Sequence, residues 1–233
     1  MDKRKDLSQS SDPPEVAFLA PPADFDYPRA VQQVLRSREI TVPSTTRFEP
    51  YRDEVPEHAA FDLVVVAGST ARIGDPEPWF PTLAEYLRGA ISAGTPVLGV
   101  CFGHQFLADL LGGTVTTLPE RQATVSTIER TAPGRASPAF RDLPERFDSF
   151  VYHRDHVADL PDGATPLARD ETGVQAFAVD DRPVLGIQFH PEFTESMART
   201  VGYDGPLTIE SSRRIYANVL RAARGDRPIA ETK

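Results

Sequence analysis

The segment Pro96-Val-Leu-Gly-Val-Cys-Phe-Gly-His-Gln105 constrains this chain more than any other. A short apolar run ends at Cys101, the only cysteine, and a helical pattern begins at once. Gly99 and Gly103 stand two residues to either side. A turn this sharp needs residues without a Cβ where a side chain would strike neighbouring backbone. It would lift the sulfur above the carboxyl edge of an open α/β sheet, where such folds bind ligands. It would also set the sulfur at a helix N-terminus, where the dipole favours the thiolate. A lone cysteine is more often a buried hydrophobe. The paired glycines and the switch from strand to helix set this one apart.

The remaining pattern suits that sheet. Val16–Ala20, Leu63–Ala67, Pro96–Cys101, Gln175–Val179 and Val184–Phe189 are short apolar runs, as expected of strands covered on both faces. Helical patterns lie between them. Pro28 opens one with Val31, Val34 and Leu35 on one face. Pro81 precedes Leu83, Leu87, Ala90 and Ile91, with Gly94 at the C-cap. His104–Leu111 closes on Gly112-Gly113, and Ile215, Val219, Leu220 and Ala223 follow Ser211 or Ser212 as N-cap. The expectation is an α/β protein with a mostly parallel sheet and helices on both faces. Residues 114–180 read as a β-rich antiparallel extension. One domain is expected over residues 13–224, after a disordered lead (1–12) and before a tail (225–233).

Composition removes several classes. A chain of 233 residues can bury a full core without staples, and a single cysteine forbids an internal disulfide. A net charge of -9 disfavours a nucleic-acid partner. No apolar run reaches the roughly 18–20 residues of a membrane helix, and no secretory h-region follows the basic N-terminus. The expected location is the cytoplasm.

A nucleophilic cysteine needs a base and a group to orient it. Gln188-Phe-His-Pro-Glu192 supplies both, with His190 read at a strand's end and Glu192 on the same side two residues on. Pro191 fixes φ between them. An acyl-transfer site also needs oxyanion donors, and the Gly68 and Phe102 amides are the candidates. His104, His153 and His156 lack Cys or acidic partners at ligand spacing, so no metal site is expected.

Three segments in this order, Ala67-Gly-Ser-Thr70, Gly99-Val-Cys-Phe-Gly-His-Gln105 and Gln188-Phe-His-Pro-Glu192, resemble the class I (triad-type) glutamine amidotransferases. A fourth, Tyr152-His-Arg-Asp-His-Val157 before Leu160-Pro, looks like the family's H-G-D-x-V loop. The resemblance covers about residues 15–224 and implies a flavodoxin-like fold. It implies hydrolysis of the glutamine side-chain amide by Cys101, His190 and Glu192, with Gly68 and Phe102 as oxyanion donors. Substrate recognition would fall on Gly68, Thr70, Gln105 and the backbone near Tyr152, Arg154 and Asp155. No cofactor is implied.

Two departures stand out. Arg154 replaces the usual glycine of the fourth segment, and its guanidinium could pair with a substrate carboxylate. Ala67-Gly68-Ser69 replaces the usual Gly-Gly-Pro. Asp75-Pro-Glu-Pro-Trp79 is similar to a stretch in free-standing proteins related to the γ-glutamyl peptidases and to the GMP synthase subunit, although a lone tryptophan is more often a packing residue.

Three readings compete. One is a glutaminase chain passing ammonia to a separate synthase. Another is a free-standing hydrolase of γ-glutamyl compounds. The third is a silent regulatory homologue, which the intact triad opposes.

Overall fold

The computed structural model describes residues 13–37, 43–57 and 61–226. The expected lead, 1–12, and residues 227–233 of the expected tail lie outside the described residues. Nine strands form one sheet in the order β2-β1-β3-β4-β9-β8-β7-β5-β6. They are β1 (Glu15–Leu19), β2 (Ser44–Phe48), β3 (Leu63–Val66), β4 (Val97–Val100), β5 (Thr114–Arg130), β6 (Arg146–Asp159), β7 (Ala164–Asp170), β8 (Gly173–Val179) and β9 (Val184–Ile187). The helices are α1 (Tyr27–Ser37), α2 (Phe80–Ser92), α3 (Phe102–Leu110), α4 (Ala132–Ala136), α5 (Glu195–Thr200) and α6 (Arg214–Arg221), with a closing helical turn at Ala222–Asp226.

Strands β2, β1, β3, β4 and β9 are parallel, and β8, β7, β5 and β6 continue the sheet antiparallel. Apart from the edge strand β2, the parallel half is buried on both sides because its strands carry apolar side chains in both directions. Val16, Phe18, Leu63 and Val65 join one core with Val31 and Leu35 of α1 and Ile215 and Val219 of α6. Ala17, Leu19, Val64 and Val66 join the other with Leu83 and Leu87 of α2 and Phe106 and Leu107 of α3. Helices therefore cover both faces, as the patterns predict. The order in which strands are added reverses between β1 and β3, and the loops after β3 and β4 line one cleft at the carboxyl edge near that switch.

Some boundaries differ from expectation. Helix α3 begins at Phe102, directly after the cysteine, rather than at His104. Neither Ser211 nor Ser212 caps α6: Arg213 holds the cap position, and the buried Ser212 hydroxyl donates to the Ile209 carbonyl at 2.8 Å. Strand β9 stops at Ile187 instead of running to Phe189. Trp79 is buried against Phe80 and Phe102, a packing role beneath the elbow. Among the described residues, no helix is long and apolar enough to cross a membrane.

The elbow glycines are sterically required. A Cβ on Gly99 would lie 2.5 Å from the Gly103 carbonyl carbon, and one on Gly103 would collide with the Val66 carbonyl oxygen. Gly103→Ala is therefore expected to destabilise the fold by about 1–3 kcal/mol or more. Gly89→Ala, on the exposed side of α2 with nothing within 4 Å, should stabilise it by about 0.5–1 kcal/mol. Urea midpoints moving in opposite directions would bear this out. Equal, small shifts would contradict it.

Candidate active site

Cys101 sits between β4 and α3 with φ 52° and ψ −103°, a conformation rare for a residue bearing a Cβ. Its N–H donates to the Ile187 carbonyl at 2.8 Å, which ties the elbow to β9. Its thiol reaches the Tyr152 carbonyl at 3.5 Å. The amide of Phe102 opens α3, where the first N–H groups have no acceptor within the helix.

His190 and Glu192 come together differently from the extended pairing expected. His190 lies past the end of β9, and its N–H donates to the Phe150 carbonyl of β6 at 2.7 Å. Pro191 and Glu192 then form a turn. The turn brings Glu192 Oε1 to 2.7 Å from His190 Nδ1, with both side chains buried. Burial pushes the His190 imidazole down, but the Glu192 and Cys101 charges, with the hydrogen bond to Glu192, outweigh it and push the group up to about 10. Nε2 is buried and has no hydrogen-bond partner among the described residues.

Two neighbours of this pair were not singled out in the sequence. Tyr216 of α6 donates its hydroxyl to Glu192 Oε2 at 2.6 Å, so both carboxylate oxygens are occupied. Tyr27 stacks on the His190 ring at 5.3 Å and 17°, while Phe193 lies 5.0 Å away. A Cβ on Gly68 would come within 3.1 Å of both His190 and Tyr27, so the loop after β3 closes on the imidazole. A helical period shows Tyr216 among core residues. The usable signal is that a buried carboxylate bonded to one histidine still needs a second donor.

A cleft of about 280 Å³ opens at Cys101, lined by Ser69–Arg72, Gln105, Arg121 and Tyr152–Asp155. It brings together the predicted Thr70, Gln105, Tyr152, Arg154 and Asp155, but several of their polar groups are already engaged. The Thr70 amide and hydroxyl both donate to the Pro22 carbonyl, at 3.0 and 3.3 Å. Gln105 Nε2 donates to the Asp155 carbonyl at 2.6 Å and to Gln188 Oε1 at 3.1 Å. Asp155 takes a two-pronged contact from Arg72, Nε at 3.0 Å and Nη2 at 2.8 Å, and a hydroxyl from Thr117 at 2.9 Å. Burial would raise the Asp155 carboxyl, but the hydrogen bonds from Arg72 and Thr117 hold it below the usual carboxylate range.

The other histidines are not gathered around an ion. His104 packs against Phe177 at 5.0 Å, and burial pushes it down to about 3. His153 contacts the Asp155 carbonyl through Nδ1 at 3.1 Å, which places the proton there, and burial pushes it down to about 4. His156 contacts Thr116 and the Thr172 carbonyl. Among the described residues, no group of three His, Cys, Asp or Glu side chains is arranged for a metal.

The family model of "Glutamine amidotransferase class-I" matches residues 23–202, and the chain belongs to that family. It is 36% identical over 170 residues to the glutamine-hydrolyzing GMP synthase of Thermomicrobium roseum, covering 72% of this chain and 31% of that protein. It is 32% identical over 163 residues to a γ-glutamyl-L-1-hydroxyisopropylamide hydrolase of a Pseudomonas species, covering 63% and 55%. It is 32% identical over 176 residues to the glutamine-hydrolyzing GMP synthase subunit of Methanopyrus kandleri, covering 74% and 82%. The chain thus spans about a third of the first relative and about half of the second. Among solved structures, a GMP synthase subunit-like protein from Thermoplasma acidophilum superposes with a TM-score of 0.71 at 20% identity, covering 92% of this chain and 96% of that one. A Thermotoga maritima glutamine amidotransferase gives 0.67 at 20% identity, covering 91% and 98%. These two likenesses show the fold.

The raised His190 pKa carries a consequence for stability. A proton held more tightly in the folded state stabilises it fully below the free value of 6.5, and that contribution is lost as pH rises through about 10. Glu192→Gln removes the strongest upward push on His190. The stability advantage of the wild type over this variant should therefore shrink steadily from pH 6.5 to pH 10. Urea unfolding across that range checks it, and a constant difference would contradict it.

Proposed function

We propose that this chain hydrolyses the side-chain amide of glutamine to glutamate and ammonia through a γ-glutamyl thioester on Cys101. The observation that carries the reading is a strained cysteine at a helix N-terminus together with a buried His190 held by Glu192 at 2.7 Å. Sγ, as thiolate, attacks the γ-carboxamide carbon. Negative charge collects on the carbonyl oxygen, which the Gly68 and Phe102 amides would receive. The C–N bond breaks as imidazolium gives its proton to the departing nitrogen, and ammonia leaves. Water then attacks the thioester carbon, His190 takes its proton, and glutamate and the free sulfur are released. Glu192 keeps the proton on Nδ1 and stabilises the imidazolium, and Tyr216 and Tyr27 hold the pair in place. Thr70, Gln105, Tyr152, Arg154 and Asp155 shape the cleft where the glutamyl group would lie.

In this reading the ammonia passes to a separate synthase chain, as the similarity to the Methanopyrus kandleri protein supports. A second reading, a free-standing γ-glutamyl hydrolase, is favoured by the arginines at the mouth of the cleft and by the similarity to the Pseudomonas hydrolase.

Glutamate release from glutamine and from γ-glutamyl amides tests the chemistry. Cys101→Ala should abolish turnover, and His190→Ala should lower kcat by about 10²–10⁴-fold. Glu192→Ala should cost less than His190→Ala, since water can partly replace an orienting carboxylate. Wild-type turnover in Cys101→Ala would overturn the mechanism, as would a larger loss at Glu192 than at Cys101.

A further inference from the structure

Three buried glutamines, Gln105 of α3, Gln175 of β8 and Gln188 just past β9, lead away from the cleft at Cys101. Only Gln105 lines that cleft. Its Nε2 has two hydrogens, and it donates to two acceptors, the Asp155 carbonyl at 2.6 Å and Gln188 Oε1 at 3.1 Å. An amide's nitrogen and oxygen are told apart by what they meet, and a backbone carbonyl can only accept. Nε2 is therefore fixed inward. Oε1 is the polar atom left for the cleft, and it has no partner among the described residues.

The same logic continues behind Gln188. Its N–H donates to the Gln175 carbonyl at 2.8 Å, and the β8–β9 register sets the two residues opposite one another, on one face. At the far end Gln175 Nε2 donates to Asp170 Oδ1 and to the Thr172 hydroxyl, each at 3.1 Å. Asp170 is itself held by the Ser126 hydroxyl at 2.9 Å and by the N–H and hydroxyl of Thr172 at 2.8 and 2.7 Å. A carboxylate also only accepts, so the nitrogen of Gln175 must face it. Gln175 Oε1 and Gln188 Nε2 are then the unused atoms, both buried and without a partner among the described residues. One accepts and the other donates, so a single water between them satisfies both. Every amide in the row has its nitrogen toward Asp170 and its oxygen toward the cleft.

The cleft has a use for that direction. Arg72, Arg121 and Arg154 line it, and its one lining carboxylate among the described residues, Asp155, lies in the fork of Arg72. An ammonium group entering it finds no free carboxylate. A neutral acceptor held in one orientation takes that place.

We propose that Gln188, with Gln175 and Asp170 behind it, is a positioning residue that locks the Gln105 amide with Oε1 toward the cleft and so sets the site's preference for an α-ammonium group. The role rests on the γ-glutamyl acyl-transfer reading, in which Gln105 lies beside the glutamyl group. Gln188, Gln175 and Asp170 touch no substrate and take no part in bond cleavage.

The test is binding, so that it does not depend on turnover. Cys101→Ala protein is titrated calorimetrically with glutamine and with glutaramate, the same amide with hydrogen in place of the α-ammonium. The titrations are repeated with Gln188→Met, which keeps the length and removes the acceptor, with Gln188→Glu, which keeps an oxygen for Gln105, and with Gln175→Met. We expect glutamine to bind the parent about tenfold or more tightly than glutaramate, the scale of one hydrogen bond to a charged group. Gln188→Met should cut that preference about threefold or more, by loosening this bond, and leave glutaramate affinity unchanged. Gln188→Glu should keep most of the preference, and Gln175→Met should lose less than Gln188→Met. Equal affinity for the two ligands in the parent would overturn the proposal. So would an equal weakening of both ligands by Gln188→Met, the mark of a merely structural role, or loss of the preference in Gln188→Glu. Should Gln188→Met fail to fold, a preference in Gln175→Met unchanged from the parent overturns it. A protein that shows the preference but, with Cys101 restored, hydrolyses neither amide would refute the acyl-transfer reading and leave the positioning role in place.

Discussion

The backbone of Cys101 depends on an absence of atoms on either side of it. Its φ of 52° costs on the order of 1–3 kcal/mol for a residue with a Cβ, and it persists because its surroundings leave no alternative. Gly103 lets α3 press against the end of β3, and Gly99 lets the first turn of α3 fold back over β4. The Cys101 N–H then closes on β9. Three parallel strands and a helix thus converge on one residue. Phe102, immediately after it, anchors the turn in an aromatic cluster with Trp79, Phe80 and Phe106. The sulfur is aimed by the core rather than by a loop, which suits a nucleophile that must hold position through two steps.

The imidazole opposite is held by a different kind of force. A buried carboxylate is costly unless both oxygens are satisfied, and here His190 takes one and Tyr216 the other. The aromatic faces of Tyr27 and Phe193 restrict the ring's rotation. The antiparallel half of the sheet contributes as well. Phe150 of β6 anchors the His190 backbone, and the Tyr152–Asp155 stretch walls the cleft. Arg72 reaches from the loop after β3 to Asp155 on β6, so one ion pair joins the parallel and antiparallel halves across the mouth of the site.

Much of this was legible in the residues. Continuous apolar runs marked β1, β3, β4, β8 and β9 because strands buried on both faces have no polar side to show. Strand β2 was missed for the opposite reason: Ser44-Thr-Thr-Arg-Phe48 is a partly exposed edge with no apolar period. The long strands β5 and β6 were visible only as a β-rich region: β5 is mostly exposed or half-buried, and β6 mixes buried polar residues such as Ser149 and His153 with its apolar ones, so neither shows a continuous apolar run. Cys101, His190 and Glu192 could be picked out from two short segments, because chemistry restricts residue type more tightly than packing does. Tyr27, Arg72 and Tyr216 could not, because each acts through a contact spanning at least 24 residues that no local pattern encodes.

The account stands on covalent chemistry at Cys101. The most direct measurement is the intact mass of the protein, quenched in acid within the first turnovers on γ-glutamyl substrates and then digested to locate any adduct. The account predicts a gain of one γ-glutamyl group, placed on the peptide containing Cys101 and discharged by hydroxylamine. Substrate turnover with an unmodified Cys101, or an adduct on any other residue, would contradict it.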